Sequence, residues 1–243
     1  MKQIDKISKA KVSELSQLKQ KKHRLERKLL VLEGKRLAEQ LEIYGVLPRE
    51  QYLAMPDQNI MSDIPSYLCK EEDFKRICDS EHPALIAGLY SAPSPSLPEF
   101  RLALYLDRVS DPGNLGTIFR TAAAFGVQHI FLSPQSCEIS NPKVVRASMG
   151  AVYKVPWSML SVDELISMDA KRVFLDMSGE LALKDYRPDS PREIYILGSE
   201  AHGVDPQLMA GSSTSLRIPM PGSMESLNLA ISAAILCYHI SGY

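Results

Sequence analysis

Apolar positions along the 243-residue chain fall into short continuous runs separated by polar loops and helical patterns, the texture of an α/β protein. The last quarter shows it best. EIYILGSEAHGVDP (193–206) starts as a buried-type strand and breaks at Gly198 into small and polar residues. LRIPMPGSMESLNLAISAAILCYHI (216–240) repeats strand and loop, then runs into a helix that is apolar nearly all round. Such a helix is buried in its own core or packs on another subunit. Two polar loops leaving strand ends predict a ligand crevice, because open α/β sheets bind outside the carboxyl ends of their strands.

The same texture begins at Phe100. RLALYLDRV (101–109) reads as a strand, SDPGNLG as a polar loop, NLGTIFRTAAAFGV as a helix opened by Asn114, and QHIFLSP as a second strand. A strand–helix–strand unit implies a parallel sheet. KVPWSM, KRVFLDMS, EIYILGS and LRIPM supply further strands, so about five or six are expected over residues 100–243.

Upstream the pattern changes. Lys6 to Gln40 is rich in Lys, Leu, Glu and Gln and reads as helical, with Leu15, Leu18 and Leu25 as a sparse apolar face. At its end LLVLEGKRLAEQLEIYGV has the pattern of a short strand, a turn at Gly34 and an amphipathic helix with Leu37, Leu41 and Val46 inward. YLAMP, SYLCK and ALIAGLY are short apolar pieces with helical patterns between them, which suggests a small α/β unit. SAPSPSLPE (91–99) has linker composition. Two domains are therefore expected, residues 1–95 and 99–243.

Charge sharpens this division. The net charge is −1, yet residues 1–36 hold 12 Lys and Arg against 4 Asp and Glu, leaving 16 against 25 for the remainder. KQKKHRLERK (19–28) is the most basic part, and such asymmetry points to a polyanionic partner, with a solvated helix face as the alternative. Cys69, Cys78, Cys137 and Cys237 are far apart with no C-x-x-C pair, which indicates neither zinc nor a disulfide framework and suggests a reducing cytoplasm. The five histidines lack ligand spacing. No apolar h-region follows the basic N-terminus, and no apolar run approaches a membrane span.

Several residues could carry chemistry. Arg120 lies among small and apolar neighbours, with no carboxylate near it on its own helix. It is either a surface Arg or one wall of a site shared with Asn114, whose helix N-terminus favours an anion. GSEAHG (198–203) is neither a G-x-S-x-G elbow nor a G-x-G-x-x-G fingerprint, and no P-loop occurs. What remains there is a glycine followed by the carboxylate of Glu200. In PGSMESLN (221–228), Ser226 is a fair cap for the last helix, and Asn228 falls in its first turn, where propensity alone would not place it.

Together DRVSDPGNLGTIFRTAAAFG, YILGSEAHGV and IPMPGSMESLNLAISAAI resemble, in order, the three motifs of the SpoU (TrmH-type) family of RNA ribose 2′-O-methyltransferases, across essentially all of residues 100–243. KVVRASMGA (143–151) is similar to the family's intermediate stretch, and the N-terminal segment to its accessory substrate-binding domain, a ribosomal-protein-like α/β fold. The resemblance implies a parallel-sheet methyltransferase domain with a C-terminal trefoil knot, although knots run against general folding rules. It also implies S-adenosylmethionine as cofactor, and a homodimer whose active site draws on both subunits. Asn114, Arg120, Glu200, Ser226 and Asn228 match the family's catalytic residues; Gly198, Ile218, Leu227 and Asn228 match positions around the cofactor. Lys21, Lys22, Arg24, Arg27 and Arg146 are the expected RNA contacts. The family commonly has glycine where this chain has Ala201. Ribosomal RNA is expected ahead of transfer RNA. A non-catalytic RNA-binding or ribosome-assembly protein on the same fold is the alternative from another class.

Overall fold

The computed structural model describes residues 4–58, 61, 63–199, 203–210 and 214–242. The chain packs as two compact units. The first combines residues 1–93 with 138–153, and the second 94–137 with 154–243. The 138–153 segment lies inside 99–243 in sequence but packs with the N-terminal unit.

In the first unit, strands β1 (Asp5–Lys6), β2 (Leu29–Glu33), β3 (Glu50–Leu53), β4 (Ser66–Leu68) and β5 (Ile86–Ser91) form a mixed sheet of order β1-β4-β3-β5-β2. Helices α1 (Lys9–Ser16), α2 (Lys21–Arg27), α3 (Lys35–Ile43) and α4 (Glu71–Ile77) accompany it, as does α6 (Pro142–Ala147). Val12, Leu15 and Leu18 pack with Phe74, Ile77, Tyr52 and Leu89 in one core. The helical stretch expected from Lys6 to Gln40 is broken before Leu29, where the expected strand, Gly34 turn and amphipathic helix follow. Lys28 adopts a left-handed backbone, φ 53°, that ends α2. Leu30 to Glu33 are then buried as a strand paired with β5. Burial on both faces outweighs the helical composition around the strand. Leu25, expected on the apolar face, is 54% exposed. Gly34 makes the turn at φ 100°, and Leu37 and Leu41 are buried beneath α3.

The second unit carries a wholly parallel sheet of seven strands: β6 (Leu102–Leu106), β7 (His129–Leu132), β8 (Trp157–Met159), β9 (Lys171–Leu175), β10 (Leu181–Ala182), β11 (Glu193–Leu197) and β12 (Thr214–Arg217). Their order is β10-β12-β9-β11-β6-β7-β8. The extra strand relative to expectation is β10, whose two residues leave no periodic signal. Helices α5 (Pro112–Ala124), α7 (Val162–Ser167), α8 (Pro206–Met209) and α9 (Leu229–Ile240) complete the unit. Every residue of β7 and β11 is buried, as parallel central strands require.

Two backbone crossings are too close for any side chain. A Cβ on Gly198 would sit 2.0 Å from the carbonyl carbon of Gly203, and one on Gly179 would sit 2.4 Å from that of Leu216. These glycines are required by contact rather than by backbone angle.

Candidate active site

The carboxyl ends of β9, β11 and β12 open into a cavity of about 420 Å³, within the roughly 300–1,000 Å³ usual for small-ligand sites. Leu197, Val204, Ile218, Leu227 and Leu229 give it apolar walls; Asp176, Ser199, Glu225, Ser226, Asn228 and Ser232 add polar groups. Gly198, Ile218, Ser226, Leu227 and Asn228, singled out from sequence, thus meet on one cavity. Asp176 and Glu225 are additions. Asp176 ends a run of apolar strand residues, KRVFLD, and a carboxylate at a strand's carboxyl end is the signal that could have found it.

The last helix begins differently from expectation. Its cap is Asn228, not Ser226: Oδ1 of Asn228 accepts from the backbone N–H groups of Ala230 at 2.9 Å and Ile231 at 3.3 Å. An Asn at this position satisfies helix donors that have no partner within the helix. Ser226 stands in the exposed loop before it. Helix α5 likewise starts earlier, with Asp111 as cap accepting from the Asn114 N–H at 2.7 Å and Pro112 in the first turn. Asn114 is freed from capping, and its Oδ1 accepts from Nδ2 of Asn228 at 3.0 Å. The first and third sequence motifs therefore meet at the mouth of the cavity.

Arg120 projects from the exposed face of α5, with no hydrogen-bond or ion-pair partner among the described residues, and it does not line the cavity. Glu200 and Ala201 lie outside the described residues. On either side of them, the N–H of Ser199 donates to the Gly203 carbonyl at 3.1 Å and that of Gly203 to the Ser199 carbonyl at 2.9 Å, with Gly203 at φ 64°.

The expected RNA contacts divide. Lys21, Lys22 and Arg27 are exposed, although Arg27 also donates to the Glu14 carbonyl and the Gln17 side chain. Arg24 is turned inward. It is 5% exposed, its Nε and Nη2 grip both carboxylate oxygens of Glu138 at 3.0 and 2.6 Å, and Nη1 donates to the carbonyls of Leu18 and Lys19. Arg24 is the buried residue of α2, and its guanidinium serves as an internal tie. Arg146 pairs with Glu33 at 3.3 Å and Asp79 at 3.6 Å and is half-buried. All four cysteines are free thiols, and burial pushes those of Cys69, Cys78 and Cys237 up to about 12, so they are protonated packing groups.

A parallel sheet with a ligand cavity at its carboxyl edge, and with polar motifs converging from three strand ends, defines an α/β enzyme. The chain belongs to the SpoU rRNA methylase family, whose model matches residues 101–238. It is similar to the 23S rRNA (guanosine(2553)-2′-O)-methyltransferase RlmP of Bacillus subtilis (strain 168), at 32% identity with both chains covered completely. Among solved structures it resembles an AdoMet-bound rRNA methyltransferase from Sinorhizobium meliloti, at 26% identity and TM-score 0.82 over 97% of this chain and 95% of the other. It also resembles a TrmH-family protein from Porphyromonas gingivalis, at 32% identity and TM-score 0.81 over 96% and 97%. Family membership implies the C-terminal trefoil knot, and the crossings at Gly179 and Gly198 fit such tight threading.

Proposed function

We propose that the chain methylates a ribose 2′-hydroxyl of 23S ribosomal RNA, with S-adenosylmethionine as methyl donor. The observation that carries this reading is the cavity. Among its described lining residues are two carboxylates, Asp176 and Glu225, and no basic side chain, set in apolar walls at a parallel sheet's carboxyl edge. That combination fits a nucleoside carrying positive charge. When bound, S-adenosylmethionine supplies an electrophilic sulfonium methyl. The apolar walls exclude water and hold the adenosine face, and Asp176 and Glu225 complement the cationic part.

The protein's remaining work is on the acceptor. Asn114 and Asn228 orient it at the cavity mouth, with Ser226 and Glu200 as further polar partners. Arg120 grips the RNA phosphate and stabilises the negative charge that develops on the 2′-oxygen. A guanidinium stays protonated at ordinary pH, so this role suits it better than that of general base. Lys21, Lys22 and Arg27 hold RNA through phosphates.

A homodimer completes the site. Ile231, Ile235 and Tyr238 are 51%, 37% and 61% exposed at helical spacing along α9, an apolar stripe on the helix that packs with α5, the helix carrying Arg120. Pairing through α5 and α9 buries this stripe and delivers Arg120 to the partner's cavity. No helix among the described residues is long and apolar enough to cross a membrane. The free thiols and the RNA substrate support a cytoplasmic enzyme. Calorimetry with S-adenosylmethionine, followed by methyl transfer to ribosomal RNA, tests the reading; a protein that binds RNA but not the cofactor would instead be a non-catalytic RNA-binding protein on this fold.

A further inference from the structure

Arg108, directly after β6, has a left-handed backbone, φ 55°. Side chains other than Asn and Asp rarely adopt it, and such outliers gather at functional sites. A closed set of bonds holds it. Its N–H donates to Ser133 Oγ at 2.8 Å. Its guanidinium folds back on Asp107, with Nε 3.2 and 3.1 Å from the two carboxylate oxygens and Nη2 2.9 Å from Oδ2. Asp107 is 1% exposed, and its own N–H donates to the Leu197 carbonyl at 2.9 Å.

The same two residues reach across to the cavity wall. Oδ2 of Asp107 accepts from the Asp205 N–H at 3.0 Å, and Nη2 of Arg108 donates to the Gly203 carbonyl at 3.4 Å. Gly203 and Val204 line the cavity, with Leu197 and Gly198 alongside. Segment 203–205 is thus fastened at both ends to the end of β6. A Cβ on Gly198 would stand 2.0 Å from the Gly203 carbonyl carbon, so the segment packs directly on bare glycine backbone.

We infer that Arg108 is a positioning residue: with Asp107 it clamps segment 203–205 and keeps the cofactor cavity formed before the cofactor arrives. The inference rests on the cofactor reading above. A left-handed position accepts Asn more readily than Arg, so Arg108→Asn removes the guanidinium without adding backbone strain, although Asp107 is left without its charge partner. Three measurements on the full-length protein test it: thermal melting, calorimetry with S-adenosylmethionine, and hydrogen exchange at the amides of Gly203 to Asp205. The expected result for Arg108→Asn is a melting temperature a few degrees below wild type, because buried Asp107 loses its charge partner, a Kd raised about tenfold, and exchange at 203–205 faster by a similar factor while other amides of the unit hold. KM for the cofactor rises while kcat stays near wild type, and Arg108→Lys, able to keep one of the two contacts, falls between. Wild-type affinity and unchanged exchange in Arg108→Asn would overturn the clamp. If the wild-type protein bound no S-adenosylmethionine, the cofactor reading would fail, and the exchange rates would still decide whether the clamp exists.

Discussion

Nδ2 of Asn228 donates to Oδ1 of Asn114 at 3.0 Å, joining residues 114 positions apart in the chain, while Oδ1 of the same Asn228 caps helix α9. One side chain thus starts the helix and ties the first motif to the third. The two tasks can be separated. Asn228→Ser keeps a capping oxygen but is too short to reach Asn114. It should melt within a few degrees of wild type, since exchanging one good cap for another changes helix stability by only about a few tenths of a kcal/mol. Its methyl-transfer rate should fall more than about tenfold, because acceptor positioning is lost. Asn228→Ala should lose both, with a further destabilisation of about 1 kcal/mol. Wild-type turnover in Asn228→Ser would remove the contact from the mechanism.

The carboxylate of Asp176, which lines the cavity, should give it a preference for cationic ligands. S-adenosylmethionine carries a sulfonium charge that S-adenosylhomocysteine lacks. Asp176→Asn should weaken binding of the first about five- to tenfold and of the second less than about twofold, as expected for one half-buried charge pair. Calorimetric titration of both ligands reads the difference directly. Equal losses for both would show that Asp176 acts through shape or hydrogen bonding instead.

Arg24 and its neighbours should behave as two classes. Removing one partner of a buried ion pair leaves the other uncompensated, so Arg24→Ala should destabilise the protein by about 3–5 kcal/mol. RNA affinity of the protein that remains folded should hold. Exchanging exposed Lys21, Lys22 and Arg27 for Ala should leave denaturant midpoints nearly unchanged. It should weaken RNA binding and lower the slope of log affinity against log salt by about one per lost phosphate contact. Chemical denaturation and salt-dependent filter binding distinguish the classes.

His129 predicts an acid-sensitive second unit. It is fully buried between Phe100 and Phe131, with Nε2 facing Ser158 Oγ at 3.0 Å. Burial pushes its pKa from 6.5 down to about 4. The unfolded chain takes up a proton in that interval that the folded protein refuses, so this contribution is intact above pH 6.5 and is lost progressively as the pH falls toward 4. The full loss is up to about 3 kcal/mol. His129→Gln should flatten the fall of melting temperature over that range; an unchanged slope would assign the acid sensitivity to other groups.

Much of this was legible in the residues themselves. The buried strands β6, β7 and β11 announce themselves as continuous apolar runs, and each of the three motifs follows a strand. Cap assignment failed where two cap-like residues stand close together. Asp111 competes with Asn114 and Asn228 with Ser226, and only the geometry of the first turn decides. Arg24 looked like its neighbours because composition does not reveal which face of a short helix is inward. Its partner Glu138 lies 114 residues away, in a segment that packs with the other end of the chain. The strand after Lys28 was legible as the apolar run LLVLE, whereas the left-handed turn before it was not, since a lysine in a basic run gives no sign of one. Arg108 carried no signal at all, since its role depends on a backbone angle and on segment 203–205 nearly a hundred residues downstream.

Ribose methylation of ribosomal RNA by a site that includes Arg120 is tested most directly by mapping 2′-O-methyl groups across 23S RNA from cells lacking the protein, and from the same cells supplied with wild-type protein or with Arg120→Ala. One methylated ribose should disappear in the deletion, return with wild type and stay absent with Arg120→Ala, although purified Arg120→Ala still binds S-adenosylmethionine. An unchanged methylation map in the deletion, or full restoration by Arg120→Ala, would contradict it.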